Sequence, residues 1–220
     1  MIKAKTISDA WFQALCLIID KGYKQEIQRG SFEQEQTRLQ LPFISGVVEF
    51  PLYDMIPQVP FGIPQPTTAR YIEEYFHTKI IGSIKTDNEE YTYGERIISQ
   101  LPDVIDMLQK TPLTNQAVIE VARPSDLLLP DPPCLRVISF KCVPHEGIGP
   151  QTYDLNICVF FRSWECWAGL PTNLGGMALL QQYVAGFIEG AVSGRMFFAS
   201  DGLHLYDMAI GYAKQKCNKE

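Results

Sequence analysis

Apolar and polar positions along the 220-residue chain switch between helical and strand periods without a βαβα rhythm, which predicts an α+β fold. Ser8-Asp9 reads as an N-cap, and Trp11, Leu15, Ile18 and Ile19 share one face of a helix that Gly22 ends. Residues 28–37 are mostly polar and read as a mobile loop, whereas 39–53, rich in β-branched and aromatic residues, read as one strand. Five prolines between Pro51 and Pro66 are interleaved with apolar residues, which predicts a structured connection within one domain. Thr67-Thr68 caps an expected helix over 71–76 that carries Glu73 and Glu74. A helix is expected over 97–108, a strand over 116–121, and two strands over 135–142 and 155–161 joined by a Gly- and Pro-containing loop. The apolar stretch 174–191 predicts a buried helix, 195–200 a strand, and 207–216 a closing helix with a basic end.

Composition narrows the class. With 46% hydrophobic and 11% aromatic residues the chain can bury a core as a single domain. A net charge of −6 argues against a nucleic-acid partner, because phosphates repel an acidic surface. No apolar run approaches the roughly 20 residues that span a bilayer, and the first residues lead into a polar-faced helix, so no membrane association and a cytoplasmic location are expected. None of the six cysteines forms a CxxC pair, and Cys142 with His145 makes too few ligands for zinc, so no metal is expected. Cys16, Cys142 and Cys158 lie in apolar surroundings and read as small core residues, with all thiols reduced.

The candidate chemistry concentrates between residues 129 and 206. Cys134 follows Asp131-Pro132-Pro133, a rigid entry to a strand. It is either a structural thiol or a nucleophile, and a nucleophile needs a nearby guanidinium to depress its pKa. Hairpin pairing of the two adjacent strands brings Arg162 to the same end. Arg162-Ser163 is either a solvated strand end or a phosphate clamp, since a guanidinium and a hydroxyl suit a phosphate monoester. Asn173 reads as a turn residue or as an amide matching the N3–H and O4 edge of uracil, where an Asp would suit cytosine better. His204 and Tyr206, two apart in an extended segment, face one way and suit a sugar hydroxyl or an aromatic contact. Glu73 or Glu74, if turned inward, would serve as a general base through water.

Pro133-Cys134, Arg162-Ser163-x-Glu165, Gly169-x-Pro171-x-Asn173 and His204-x-Tyr206, in this order, resemble the thymidylate synthase family. Tyr93-Gly94 matches that family's Tyr-Gly element, and Thr6-Ile7-Ser8-Asp9-Ala10-Trp11 is similar to the opening of its short archaeal-type members. The resemblance implies a mixed sheet packed against helices, with one sheet face at a homodimer interface. It implies addition of Cys134 to C6 of a pyrimidine nucleotide, with Tyr93 in the catalytic set. The one-carbon donor would be 5,10-methylenetetrahydrofolate or a tetrahydromethanopterin analogue, near Glu165 and Gly169. Arg162 and Ser163 would hold phosphate, Asn173 the base, and His204 with Tyr206 the ribose. The implied reaction is methylation of dUMP to dTMP; a pyrimidine nucleotide hydroxymethylase and a non-catalytic homologue are the alternatives. Three features depart from the family pattern. Asn115-Gln116 stand where two arginines reach across the dimer to phosphate, a loss of about 1.5–3 kcal/mol per charged hydrogen bond. Arg29, Arg38 and Arg123 are the candidate replacements. Leu135 follows Cys134 in place of the usual His, and no apolar tail follows the last helix.

Overall fold

The computed structural model describes residues 1–27, 36–85, 91–145 and 152–219. Among the described residues, ten strands form two mixed sheets that pack with six α-helices around one hydrophobic core. The larger sheet comprises β1 (Ile2–Ala4), β4 (Ile44–Val48), β9 (Ala191–Ser200), β7 (Tyr153–Phe161), β6 (Leu135–Pro144) and β5 (Val118–Glu120), in that spatial order. The smaller sheet runs β2 (Tyr23–Glu26), β3 (Thr37–Leu41), β10 (Leu203–Tyr206) and β8 (Trp164–Glu165). Alternation along β7 turns Leu155, Ile157, Val159 and Phe161 inward, where they meet α5 (Gly169–Ala185), which in turn packs on α1 (Ile7–Lys21).

The expected elements are present, with boundaries moved by local chemistry. Thr6, not Ser8-Asp9, caps α1: its hydroxyl accepts the Asp9 N–H, and Asp9 accepts the Lys5 N–H from inside the first turn. The single strand expected over 39–53 is two, β3 and β4, which belong to different sheets and part at Pro42-Phe43. Proline donates no ladder hydrogen bond there. The helix expected over 97–108 begins earlier and breaks in two, α3 (Tyr93–Ile98) and α4 (Leu101–Lys110). Pro102 fits only a first helical turn, so the helix restarts before it, and the Gln100 side chain ties the junction to the Glu120 backbone. The helix expected over 174–191 starts at Gly169, because Pro171 is tolerated in a first turn. Asn173 is therefore helical. Helix α2 (Ala69–Tyr75), capped by Thr68, runs on into a π-helical turn at Phe76–Ile80. Helix α6 (Asp207–Lys216) closes the fold where expected.

Two cysteine expectations need correction. Cys16 and Cys217 are paired as a disulfide between α1 and the end of α6, their Cα atoms 5.7 Å apart, so not every thiol is reduced. Cys158 is exposed, because it alternates with the buried Ile157 and Val159. Among the described residues no helix is long and apolar enough to cross a membrane, and no cluster of three His, Cys, Asp or Glu residues could hold a metal.

A buried ion pair fixes α3 against the segment that leads to Cys134. Both Asp126 carboxylate oxygens accept from Arg96 at 2.8 Å, and Arg96 also donates to the Val121 carbonyl at 2.7 Å. Arg96 holds the Asp126 carboxyl below the usual carboxylate range. Removing one partner strands a buried charge. Arg96→Met or Asp126→Asn is expected to destabilise the fold by about 3–5 kcal/mol in urea denaturation, and a change under about 1 kcal/mol would contradict this role.

Candidate functional site

The smaller sheet meets the ends of β6 and β7 around a pocket of about 270 Å³. Strand β3 supplies Arg38, β10 supplies His204 and Tyr206, and β8 supplies Trp164 and Glu165. Cys134 and Arg162 enter from the adjoining ends of β6 and β7, Gly169 and Asn173 from the first turns of α5, and Tyr93 from α3. Residues far apart in the chain thus share one cavity.

Antiparallel pairing of Leu135 with Phe161 aligns the flanking residues, and the Arg162 N–H donates to the Cys134 carbonyl at 2.9 Å. The Arg162 guanidinium turns back on the turn before Cys134. Its Nε donates to the Pro133 carbonyl at 3.1 Å, and Nη2 donates to the Pro132 carbonyl and to Asp131 at 3.2 Å. Arginine therefore fixes the turn that presents the thiol. The expected depression of the Cys134 pKa is not what results. Burial pushes the thiol up, and this outweighs the opposing pull of Arg162. The resting group is a protonated thiol. Tyr93 lies alongside: its hydroxyl accepts the Leu135 N–H at 3.4 Å, and burial keeps its phenol neutral.

Asn173 is held at both ends of its amide. Its Nδ2 donates to the Tyr75 hydroxyl at 2.8 Å, and its Oδ1 accepts the Trp164 indole N–H at 2.9 Å. Tyr75 reaches it because α2 and α5 cross closely at Gly175 and Gly176. A Cβ on Gly175 would lie 2.7 Å from Ile72, and one on Gly176 2.8 Å from the Tyr75 ring. Glu165 accepts the backbone N–H groups of Trp167, Ala168 and Gly169 at 2.6–2.8 Å, which satisfies the free donors at the start of α5. Burial raises its carboxyl pKa against those bonds.

His204 Nδ1 lies 3.1 Å from the Gly202 carbonyl and 3.3 Å from Ser163 Oγ. A carbonyl only accepts, so Nδ1 carries the proton and Nε2 is left as an acceptor. Burial and the Arg38 charge push the His204 pKa down to about 4, so the ring is neutral near pH 7. Tyr206 packs edge-on against it at 5.0 Å between ring centres. Arg38 is paired with Tyr206 in the sheet, and its buried Nε has no hydrogen-bond partner among the described residues.

Some expected residues lie elsewhere. Glu73 and Glu74 are exposed on α2, because helical spacing puts Ile72 and Phe76 inside and turns Tyr75 toward Asn173. Neither glutamate lines the pocket. Arg29 falls outside the described residues. Arg123 is exposed beyond β5 and does not line the pocket. Asn115 and Gln116 are exposed ahead of edge strand β5, with Asn115 accepting from Lys141. Sequence reasoning missed Trp164 and Tyr75. The apolar spacing of Ile72 and Phe76 carried the signal for Tyr75.

Comparison with known proteins gives a consistent result. A family model described as thymidylate synthase matches residues 70–220. A "Putative thymidylate synthase" of Methanosarcina barkeri is 30% identical over 94% of this chain and 89% of its own length. Its namesake in Methanosarcina acetivorans is 31% identical over the same shares. The thymidylate synthase of varicella-zoster virus is 29% identical over 52% of this chain and 35% of its own.

The depressed His204 pKa has a stability consequence. The unfolded chain binds the proton more readily, so the neutral ring's contribution is present above the ordinary histidine pKa and is lost as pH falls from about 6.5 toward about 4. The loss is on the order of 3 kcal/mol. Urea denaturation is expected to show a shallower decline over this interval for His204→Asn than for the wild type; parallel declines would contradict it.

Proposed function

The chain belongs to the thymidylate synthase family, and on that premise we propose that it methylates C5 of dUMP to give dTMP. The observation that carries this reading is the convergence of Cys134 and Asn173 on one pocket, the thiol beside a neutral phenol and the amide held in place. Cys134 gives its proton to water and its sulfur bonds to C6. The C5–C6 π electrons then shift toward C5 and O4, and the Asn173 amide stabilises the charge on O4 by a hydrogen bond. After the one-carbon unit joins C5, the C5 proton passes to water, the unit's bond to its carrier nitrogen breaks, a hydride completes the methyl group, and the sulfur–C6 bond breaks. Tyr93 passes the C5 proton through water, a role supported by its neutral phenol and its position next to the Cys134 peptide.

His204 Nε2 accepts from the 3′-hydroxyl, with Tyr206 beside it. Ser163 and the two pocket arginines receive the phosphate. Arg162 is partly engaged by the 131–133 turn, whereas Arg38 has a buried N–H without a partner among the described residues, so Arg38 takes the larger share. Methylenetetrahydrofolate or its methanopterin analogue supplies the carbon and, as hydride, the electrons that reduce it to methyl. Glu165 suits a pterin N–H: three of its roughly four lone-pair positions are taken by backbone donors, which leaves one.

A homodimer through the open face of the larger sheet fits the same reading. Val47, Phe197, Cys158 and Ser139 stand in one register row across β4, β9, β7 and β6, none of them buried. A covered face explains exposed apolar side chains there. Light scattering should give twice the chain mass, and Phe197→Glu should halve it; a monomeric wild type would contradict the dimer.

Release of tritium from C5-labelled dUMP in the presence of methylenetetrahydrofolate tests the reaction. Release is expected from the wild type and not from Cys134→Ala, and Arg38→Met should raise the KM for dUMP about tenfold or more with little effect on binding of deoxyuridine. Product mass separates methyl from hydroxymethyl. No release from any pyrimidine nucleotide, despite binding, would leave the non-catalytic homologue.

A further inference from the structure

An amide side chain offers opposite hydrogen-bonding orders after a half-turn, and what sits behind it decides which order a ligand meets. Asn173 has two neighbours behind its amide, and they are not equivalent. The Tyr75 hydroxyl, 2.8 Å from Nδ2, can accept or donate, so it tolerates either orientation. The Trp164 indole, 2.9 Å from Oδ1, only donates. A turned amide would set its NH₂ group against the indole N–H. Trp164 cannot swing aside to relieve that clash. It is 2% exposed, stacked on Phe161 with ring centres 4.1 Å apart, and met edge-on by Phe198 at 5.9 Å.

We propose that Trp164 is a positioning residue that fixes the base preference of the pocket by locking the Asn173 amide in one orientation. Once locked, Asn173 presents one remaining N–H and one remaining carbonyl lone pair to a ligand in a single order. Uracil and cytosine present opposite orders along their 3,4-edges: O4 with N3–H in the first, an amino group with bare N3 in the second. One base therefore makes two hydrogen bonds, while the other meets donor against donor and acceptor against acceptor. This rests on the proposed function, under which the accepted base is uracil. A pocket without the indole N–H would let Asn173 turn and serve either base. Discrimination here thus depends on a residue that need not touch the base, acting through one that does.

The test compares binding of dUMP and dCMP by calorimetry in the wild type, Trp164→Phe and Tyr75→Phe. The wild type is expected to prefer dUMP by about a hundredfold or more, the scale of two buried mismatched polar groups. Trp164→Phe should bring the ratio near one, chiefly by gaining affinity for dCMP, a gain that mere structural damage would not produce. Tyr75→Phe should weaken both nucleotides and keep the ratio. If Trp164→Phe does not fold, benzothienylalanine introduced at position 164 replaces the N–H by sulfur while preserving the ring shape, and the same collapse is expected. An unchanged ratio in either N–H-free variant would overturn the lock, as would a wild type that binds both nucleotides equally. If the ratio collapses but no Cys134-dependent C5 tritium release occurs, the lock stands and the proposed reaction falls. A wild type that binds neither nucleotide sinks both.

Discussion

The pocket depends on the join between β6 and β7. Antiparallel pairing places the Arg162 N–H on the Cys134 carbonyl, and the Arg162 side chain then holds the carbonyls of Pro132 and Pro133. Two prolines deprive this turn of backbone donors of its own, so an outside donor must order it. One residue thus sets where the thiol stands and contributes positive charge to it. That charge does not win outright: burial holds the Cys134 pKa up, so the side chain rests as a thiol. A protonated resting thiol is protected from oxidation and adventitious alkylation. On the proposed function, the proton leaves only when a substrate is in place.

Around that join the remaining groups are held by partners fixed through packing. Asn173 is oriented by an indole and a phenol, His204 by a backbone carbonyl, and Glu165 by three amides at the start of α5. Each partner is itself fixed by tertiary contacts, such as the α2–α5 crossing that Gly175 and Gly176 permit. Such preorganisation suits a reaction in which charge develops on a carbonyl oxygen. Arg38 stands out because its buried Nε lacks a partner among the described residues, a donor that an anionic ligand would satisfy.

Much of this was legible in the sequence because local rules govern it. Strand alternation, the Thr68 cap and the basic end of α6 are short-range features, and the chain shows them where expected. The neighbouring strands around Cys134 and Arg162 follow from a single hairpin. What could not be read depended on tertiary contact or on a competing short-range effect. Pro102 split a helix whose apolar period ran through it, and Pro42 sent one β-rich run into two sheets. Cys16 and Cys217, 201 residues apart, meet only when α6 docks on α1. The carboxylates of Glu73 and Glu74 drew attention that belonged to Tyr75, because a phenol in a helix carries no chemical signature until its partner is known.

The account turns on covalent attack by Cys134 at C6 of a uracil nucleotide. The most direct measurement is the intact mass of the protein after incubation with 5-fluoro-dUMP and methylenetetrahydrofolate, since fluorine at C5 cannot leave as a proton and the adduct stays trapped. The expected result is a mass increase equal to nucleotide plus donor, mapped to the peptide containing Cys134 and absent from Cys134→Ala. An unmodified mass, with the nucleotide shown to be bound, would contradict the account.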